Sequence, residues 1–224
     1  MRQLVLDIAP PAPPDFANYV AGANAEALAA VRALAQGGGR ERCVYLWGEA
    51  GSGRSHLLRA AVAAAGAGTL LAEGGLPAPD ALADGTLVAV DDADRLGAAE
   101  QIALFNLYNH AAAGHARLLV SGAAAPVHLS IRPDLATRLG AALVFRLHPL
   151  TDADKADALR RHAGARGIAL ADEAVAYLLN HARRDLPSLM ALLDALDRYS
   201  LSAKRPITVP LIRELLQPEL APPR

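Results

Sequence analysis

The chain has 224 residues, 53% of them hydrophobic but only 4% aromatic, with a formal net charge of −1. That length holds one large or two small domains with a substantial core, in an Ala- and Leu-rich helical or mixed fold. A single cysteine, Cys43, excludes an internal disulfide, near-neutral charge excludes a global pull toward nucleic acid, and no apolar run suffices to span a bilayer, so a soluble cytoplasmic protein with no membrane contact is expected.

Residues 1–8, MRQLVLDI, precede a Pro-rich APPAPP over 9–14. The acid at Asp7 and four prolines by Pro14 are unlike a signal peptide. The segment reads either as a first β-strand or as an extended tail, in which Gln3 offers amide hydrogen bonds and Leu4, Leu6 and Ile8 offer apolar anchors to a partner. The prolines form a semi-rigid spacer. A main body is expected over 15–148. Gly37, Gly38 and Gly39 separate its first helix from an apolar strand at Cys43–Trp47. Further buried strands are predicted at Thr86–Val90, 116–121 and 142–146, with helices between them. Alternation of this kind implies α/β architecture with a parallel sheet. After Pro149 the pattern is wholly helical. Acidic helix starts occur at Thr151-Asp152-Ala153-Asp154 and Ala171-Asp172-Glu173, and Leu189, Leu192, Leu193 and Leu196 recur at helical spacing. A small all-helical domain over 149–217 and a disordered tail over 218–224 complete the layout.

The stretch LWGEAGSGRS, residues 46–55, reads G-x-x-x-x-G-R-S between a strand and a helix. Glycines at 48, 51 and 53 let consecutive backbone N–H groups turn toward phosphates, and the following helix adds its positive end. This assigns Gly48, Gly51, Ser52, Gly53, Arg54, Ser55 and His56 to a nucleotide, ADP or ATP, with the Ser55 hydroxyl available to Mg²⁺. The plainer alternative is a Gly-rich β-to-α turn with no ligand; the order strand, loop, helix favours the nucleotide. Arginine stands where lysine is usual, and its planar fork is bulkier than an ammonium. The chain is therefore expected to hold nucleotide better than it hydrolyses it.

The strand at Thr86–Val90 ends in Asp91 and Asp92. Beside a P-loop the first acid can bind Mg²⁺ and the second can orient the attacking water; taken alone, such a pair is as readily a helix cap. Ser121 ends the next strand, as a sensor of phosphate or as a simple cap. Arg138, in DLATRLG, is by itself a surface arginine. His56 and His110 have no spaced set of partner ligands and read as ordinary helix residues, and Phe105 and Tyr108 read as core packing.

Together these residues resemble the DnaA-type branch of the AAA+ ATPases and, within it, the Hda family, regulatory inactivators of the bacterial replication initiator DnaA. The resemblance runs from 16 to 216 and is carried by FANYVAGANAEAL (16–28), YLWGEAGSGRSHLLRA (45–60), LFNLYN (104–109) with LLVSGAAAP (118–126), and DLATRLG (134–140). It implies a P-loop AAA+ base domain followed by a helical lid, and it places Tyr19, Val20 and Asn24 around the adenine. Arginine in the P-loop is also what Hda-like proteins tend to show. Gln3 to Ile8 resembles the short motif that docks proteins on the DNA polymerase III β sliding clamp. DnaA carries a helix-turn-helix domain after the lid, where this chain stops.

The resemblance further implies that an ADP-loaded, clamp-bound protein stimulates ATP hydrolysis by a DnaA-type initiator, with Arg138 as an arginine finger given in trans. AAA+ assembly makes a homo-oligomer a competing use of the same surface. One position departs from the pattern: Pro187 stands where the DnaA-type lid places a sensor arginine, with Arg183 and Arg184 just upstream. The alternative function is a helicase loader or clamp-loader-type motor, for which Arg54 is a poor start. A DNA-binding initiator is disfavoured by the charge. Arg160, Arg161, Arg166, Lys204 and Arg205 read as a solvated face, with weak contact to clamp-associated DNA as their other use.

Overall fold

The computed structural model describes residues 12–66, 69–71 and 75–216. The chain divides into two compact units, one spanning Pro14–Pro149 and the other carrying the helices that follow.

In the first unit, helix α1 (Ala25–Gln36) is stopped by Gly37, whose φ of 72° lets its N–H reach back to the carbonyls of Ala33 and Leu34. Strand β1 (Cys43–Trp47) leads through the P-loop into α2 (Arg54–Ala65). There follow β2 (Thr69–Leu71), β3 (Thr86–Val90), α3 (Ala98–Ala112), β4 (Ala116–Gly122), α4 (Pro133–Gly140) and β5 (Leu143–Arg146). All strand pairs are parallel, in the order β2-β3-β4-β1-β5. The sheet thus has five strands where the sequence pattern gave four. The extra one, β2, is three residues long, too short for alternation or an apolar run to register. In addition, β4 runs one residue further than expected, to Gly122.

The strands are apolar throughout because helices cover both faces. Successive residues point to opposite sides, so Val44 and Leu46, with Leu87, Ala89 and Leu119, pack against α1 and α2. Cys43 and Tyr45, with Val88, Val90, Leu118 and Val120, pack against α3 and α4. Arg117, at the start of β4, fastens three backbone carbonyls: its guanidinium donates to Leu34 at 2.7 Å, to Ala35 at 2.5 Å and to Gly85 at 2.8 Å. It therefore closes the C-terminus of α1 and joins it to the turn before β3.

The second unit comprises α5 (Asp152–Ala165), α6 (Asp172–His181), α7 (Leu186–Ala203) and α8 (Val209–Leu216). Both expected acidic helix starts are present. Thr151 caps α5 by accepting from the Asp154 N–H at 3.1 Å, and the Asp154 carboxylate accepts from the Thr151 N–H at 2.9 Å, a reciprocal capping box. Asp185 caps α7 by accepting from the Ser188 N–H at 2.9 Å. Leu189, Leu192, Leu193 and Leu196 form one stripe of α7, buried with Leu159, Leu178, Leu211 and Ile212.

Candidate nucleotide site and an exposed arginine

The P-loop leaves the C-terminal end of β1, with Gly51 at φ 80° and Gly53 at φ 96°. Ordinary residues avoid these left-handed values. Gly48 is confined for a second reason that its place in the motif did not reveal: a Cβ there would lie 2.5 Å from the Leu147 carbonyl oxygen. The Ser52 N–H donates to the Glu49 carbonyl at 3.1 Å, while the Ser52 hydroxyl is buried without a hydrogen-bond partner. A buried hydroxyl without a partner is costly, and this one lies against Gly48, 2.9 Å from where a Cβ there would stand.

Because β4 lies between β1 and β3, the ends of these three strands converge on one edge. Ser121, fully buried, donates its hydroxyl to Asp91 Oδ1 in a short hydrogen bond. The Asp92 N–H is shared between Ser121 Oγ at 3.0 Å and Asp91 Oδ1 at 3.2 Å. Across this edge Arg54 donates to Asp92 Oδ1 at 3.1 Å, with only 14% of its side chain exposed. The structure therefore joins Arg54, Asp91, Asp92 and Ser121 in one network.

Ser55 is the second residue of α2, next to Arg54, and a hydroxyl and a carboxylate such as those of Ser55 and Asp91 would suit Mg²⁺ arriving with phosphate. No group of three or more His, Cys, Asp or Glu able to hold a metal exists among the described residues. His110 stacks on His115 at 5.1 Å and belongs to no such group.

Tyr19 lies against the loop: a Cβ on Gly53 would come 2.9 Å from its ring, and its ring tilts over His56 at 5.3 Å. Burial pushes the Tyr19 hydroxyl up to about 12. His56 Nε2 sits 3.0 Å from the Asp15 carbonyl oxygen, which ties the segment before α1 to the first turn of α2. Asn24 is buried and Val20 half-buried. Both ends of the Asn24 amide are engaged with the His148 backbone, a structural tie that the motif alone did not show.

Two supporting residues were missed in the sequence. The Tyr45 hydroxyl donates to the Ala124 carbonyl at 2.8 Å, and Asp94 Oδ1 accepts from the Ala123 N–H at 2.9 Å. Both hold the segment after Ser121. The available signal was a tyrosine hydroxyl within the apolar strand Cys43–Trp47, with an acid shortly after the Asp91-Asp92 pair.

Arg138 stands outside the network. It is exposed on α4, with its guanidinium 5.8 Å from the Phe105 ring centroid on α3, and among the described residues it makes no ion pair. Phe105 and Tyr108 are core residues as expected, Phe105 serving also as the platform for this cation. In the helical unit, Arg184 pairs with Asp152 at 3.5 Å, and Pro187 lies in the first turn of α7, where proline is suited. Arg160 pairs with Asp157 and Asp172, Arg166 with Asp194, and Arg205 with Glu214, which suits a solvated face. Gln3, Leu4, Leu6 and Ile8, and the tail over 218–224, lie outside the described residues. No helix among the described residues is long and apolar enough to cross a membrane.

A P-loop, an acid pair one strand away, a hydroxyl on the strand between them and a following helical unit define an AAA+ fold. Domain III of the Thermotoga maritima replication initiation protein DnaA superposes with a TM-score of 0.70 at 20% identity, covering 96% of this chain and all of that one. AMPPCP-bound DnaA from Aquifex aeolicus matches with a TM-score of 0.65 at 17% identity, over 88% of this chain and 71% of the other. A Thermotoga maritima RuvB variant matches with a TM-score of 0.67 at 15% identity, over 93% and 73%. Residues 152–216 match the family model described as Hda, lid domain. The chain thus has the AAA+ fold of these structures, and its helical unit carries the Hda lid match over 152–216.

Proposed function

We propose that this protein is a regulatory inactivator of a DnaA-type initiator, stimulating that partner's ATP hydrolysis through Arg138 supplied in trans. The observation that carries the reading is the state of Arg138: exposed, steadied over Phe105 and, among the described residues, held by no carboxylate. A guanidinium free of its own counter-ion can neutralise charge developing on the γ-phosphate in another subunit's site. Support also comes from the Hda lid match and the DnaA-like fold.

In this reading ADP or ATP, with Mg²⁺, sits at the P-loop and fixes the base domain for docking. Gly48, Gly51, Ser52, Gly53, Arg54, Ser55 and His56 hold the phosphates; Tyr19, Val20 and Asn24 flank the base; Ser55 and Asp91 serve the metal. The tail over 1–8, through Gln3, Leu4, Leu6 and Ile8, anchors the protein to the β sliding clamp, and residues 9–14 give it reach. The base domain occupies 15–148 and the lid 149–217. Clamp-associated DNA adds at most weak contact, and self-association uses the same Arg138 surface as the initiator. With Pro187 in place of a sensor arginine and Arg184 paired to Asp152, lid position is weakly coupled to nucleotide identity.

The test is phosphate release from an ATP-loaded DnaA-type initiator with clamp on DNA, adding wild type or Arg138→Ala. Wild type stimulates, and the variant loses roughly a thousandfold of that effect. Initiator turnover unmoved by wild type, with robust ATP hydrolysis by this chain alone, would replace the proposal with a loader or motor.

A further inference from the structure

We infer that Asp92 is an internal competitor for Arg54, standing where a nucleotide phosphate must bind, rather than an acid that orients water. The inference rests on the nucleotide-binding part of the proposed function and is independent of Arg138.

Three features carry it. Arg54 is nearly buried, and Asp92 is its counter-ion, at 3.1 Å. Asp92 itself adopts a left-handed backbone, φ 50° and ψ 57°, shared among the described non-glycine residues only with Lys204. That conformation is disfavoured for a residue with a Cβ, and here the Ser121 hydroxyl and Asp91 carboxylate hold it through the Asp92 N–H. Finally, a second cation stands ready: Arg95, 78% exposed, lies 3.7 Å from Asp92 Oδ2.

These features describe an exchange. The guanidinium is the cationic donor of the P-loop, and a carboxylate already neutralises it. A nucleoside diphosphate entering the loop must take Arg54 from Asp92, whose carboxylate is left with Arg95, already paired to its other oxygen at 3.7 Å. Arg54 bridges the loop to the acid pair only while phosphate is absent. Nucleotide affinity is thus set partly by a side chain that touches no nucleotide, which makes Asp92 a positioning residue.

The experiment is equilibrium titration of the full-length, nucleotide-stripped protein with a fluorescent ADP, without an initiator. Asp92→Ala should bind about fivefold more tightly than wild type, the scale of one partly exposed ion pair. Arg95→Ala should bind more weakly, because the displaced carboxylate loses its alternative partner. In an Arg54→Ala background, adding Asp92→Ala should change nothing. Unchanged or weakened binding by Asp92→Ala would overturn the inference, as would tighter binding by the double variant than by Arg54→Ala, since relief of repulsion would then explain the effect without Arg54. A folded wild type that binds no ADP would remove the nucleotide reading itself. Wild type that binds, with an Asp92→Ala variant no tighter, removes only the competitor.

Discussion

Asn24 and His148 are joined by two reciprocal hydrogen bonds, the side-chain amide donating to the His148 carbonyl at 2.8 Å and the His148 N–H donating back to Oδ1 at 2.8 Å. The pair closes the base domain by tying the segment before α1 to the chain leaving β5. Replacing Asn24 by Ala removes the partners of both the His148 N–H and its carbonyl. We expect a loss of about 2 kcal/mol in urea unfolding without nucleotide. A residue serving only as a contact for the base would leave that stability unchanged.

Arg117 is the second such fastening, and its forked geometry matters. Arg117→Ala exposes the α1 C-terminus and the Gly85 carbonyl together, with an expected cost of about 2–4 kcal/mol. Arg117→Lys should recover only part of this, because one ammonium cannot span carbonyls on two elements. Chemical denaturation of the three proteins checks the order wild type, Lys, Ala.

Gly53 faces two separate constraints, a left-handed φ of 96° and the ring of Tyr19. Gly53→Ala should abolish fluorescent-nucleotide binding. Combining it with Tyr19→Ala removes the clash but not the backbone strain, so binding should stay impaired. Full recovery in the double variant would show that the clash alone mattered.

Arg138→Ala and Arg138→Lys separate docking chemistry from folding. Both should unfold within about 0.5 kcal/mol of wild type, as an exposed cation over a ring contributes little. Each should fail to stimulate the initiator, since a lysine ammonium lacks the planar fork. A large stability loss would show Arg138 to be structural.

Burial raises the Cys43 thiol from its ordinary 9.0 to about 12, with Glu41 adding to the effect, and raises Tyr19 from 10.0 to about 12. Both groups keep their protons in the folded state after the unfolded chain has released them. Their stabilising contribution is complete below pH 9 and is lost as pH rises toward about 12. Unfolding midpoints should fall progressively across that window, and iodoacetamide at pH 8 should label Cys43 only once the protein unfolds. Rapid labelling of the native protein would contradict the burial.

The sheet and the P-loop were legible in the sequence because each is written in consecutive residues: an apolar run such as Cys43–Trp47, then glycines at fixed offsets. The acid pair was legible by its place after Thr86–Val90. What could not be read were partnerships across long separations. Nothing in the local sequence of Asp92 announces Arg54, and nothing near Asn24 announces His148. Such pairs depend on the order in which strands assemble, a property of the whole chain. The strand β2 escaped for a different reason, since three residues carry too little periodicity to stand out from a loop.

The placement of β4 between β1 and β3 has a consequence for how the protein comes into being on the ribosome. The loop at 48–53 and the acids at 91 and 92 are synthesised first, yet no hydrogen-bonded ladder joins their strands until residues 116–122 slide between them. A nascent chain released before that point has two strands with unfilled edges and no assembled pocket. Ligand capture therefore cannot assist the earliest folding, and the emerging polypeptide must rely on apolar collapse until its fourth strand arrives.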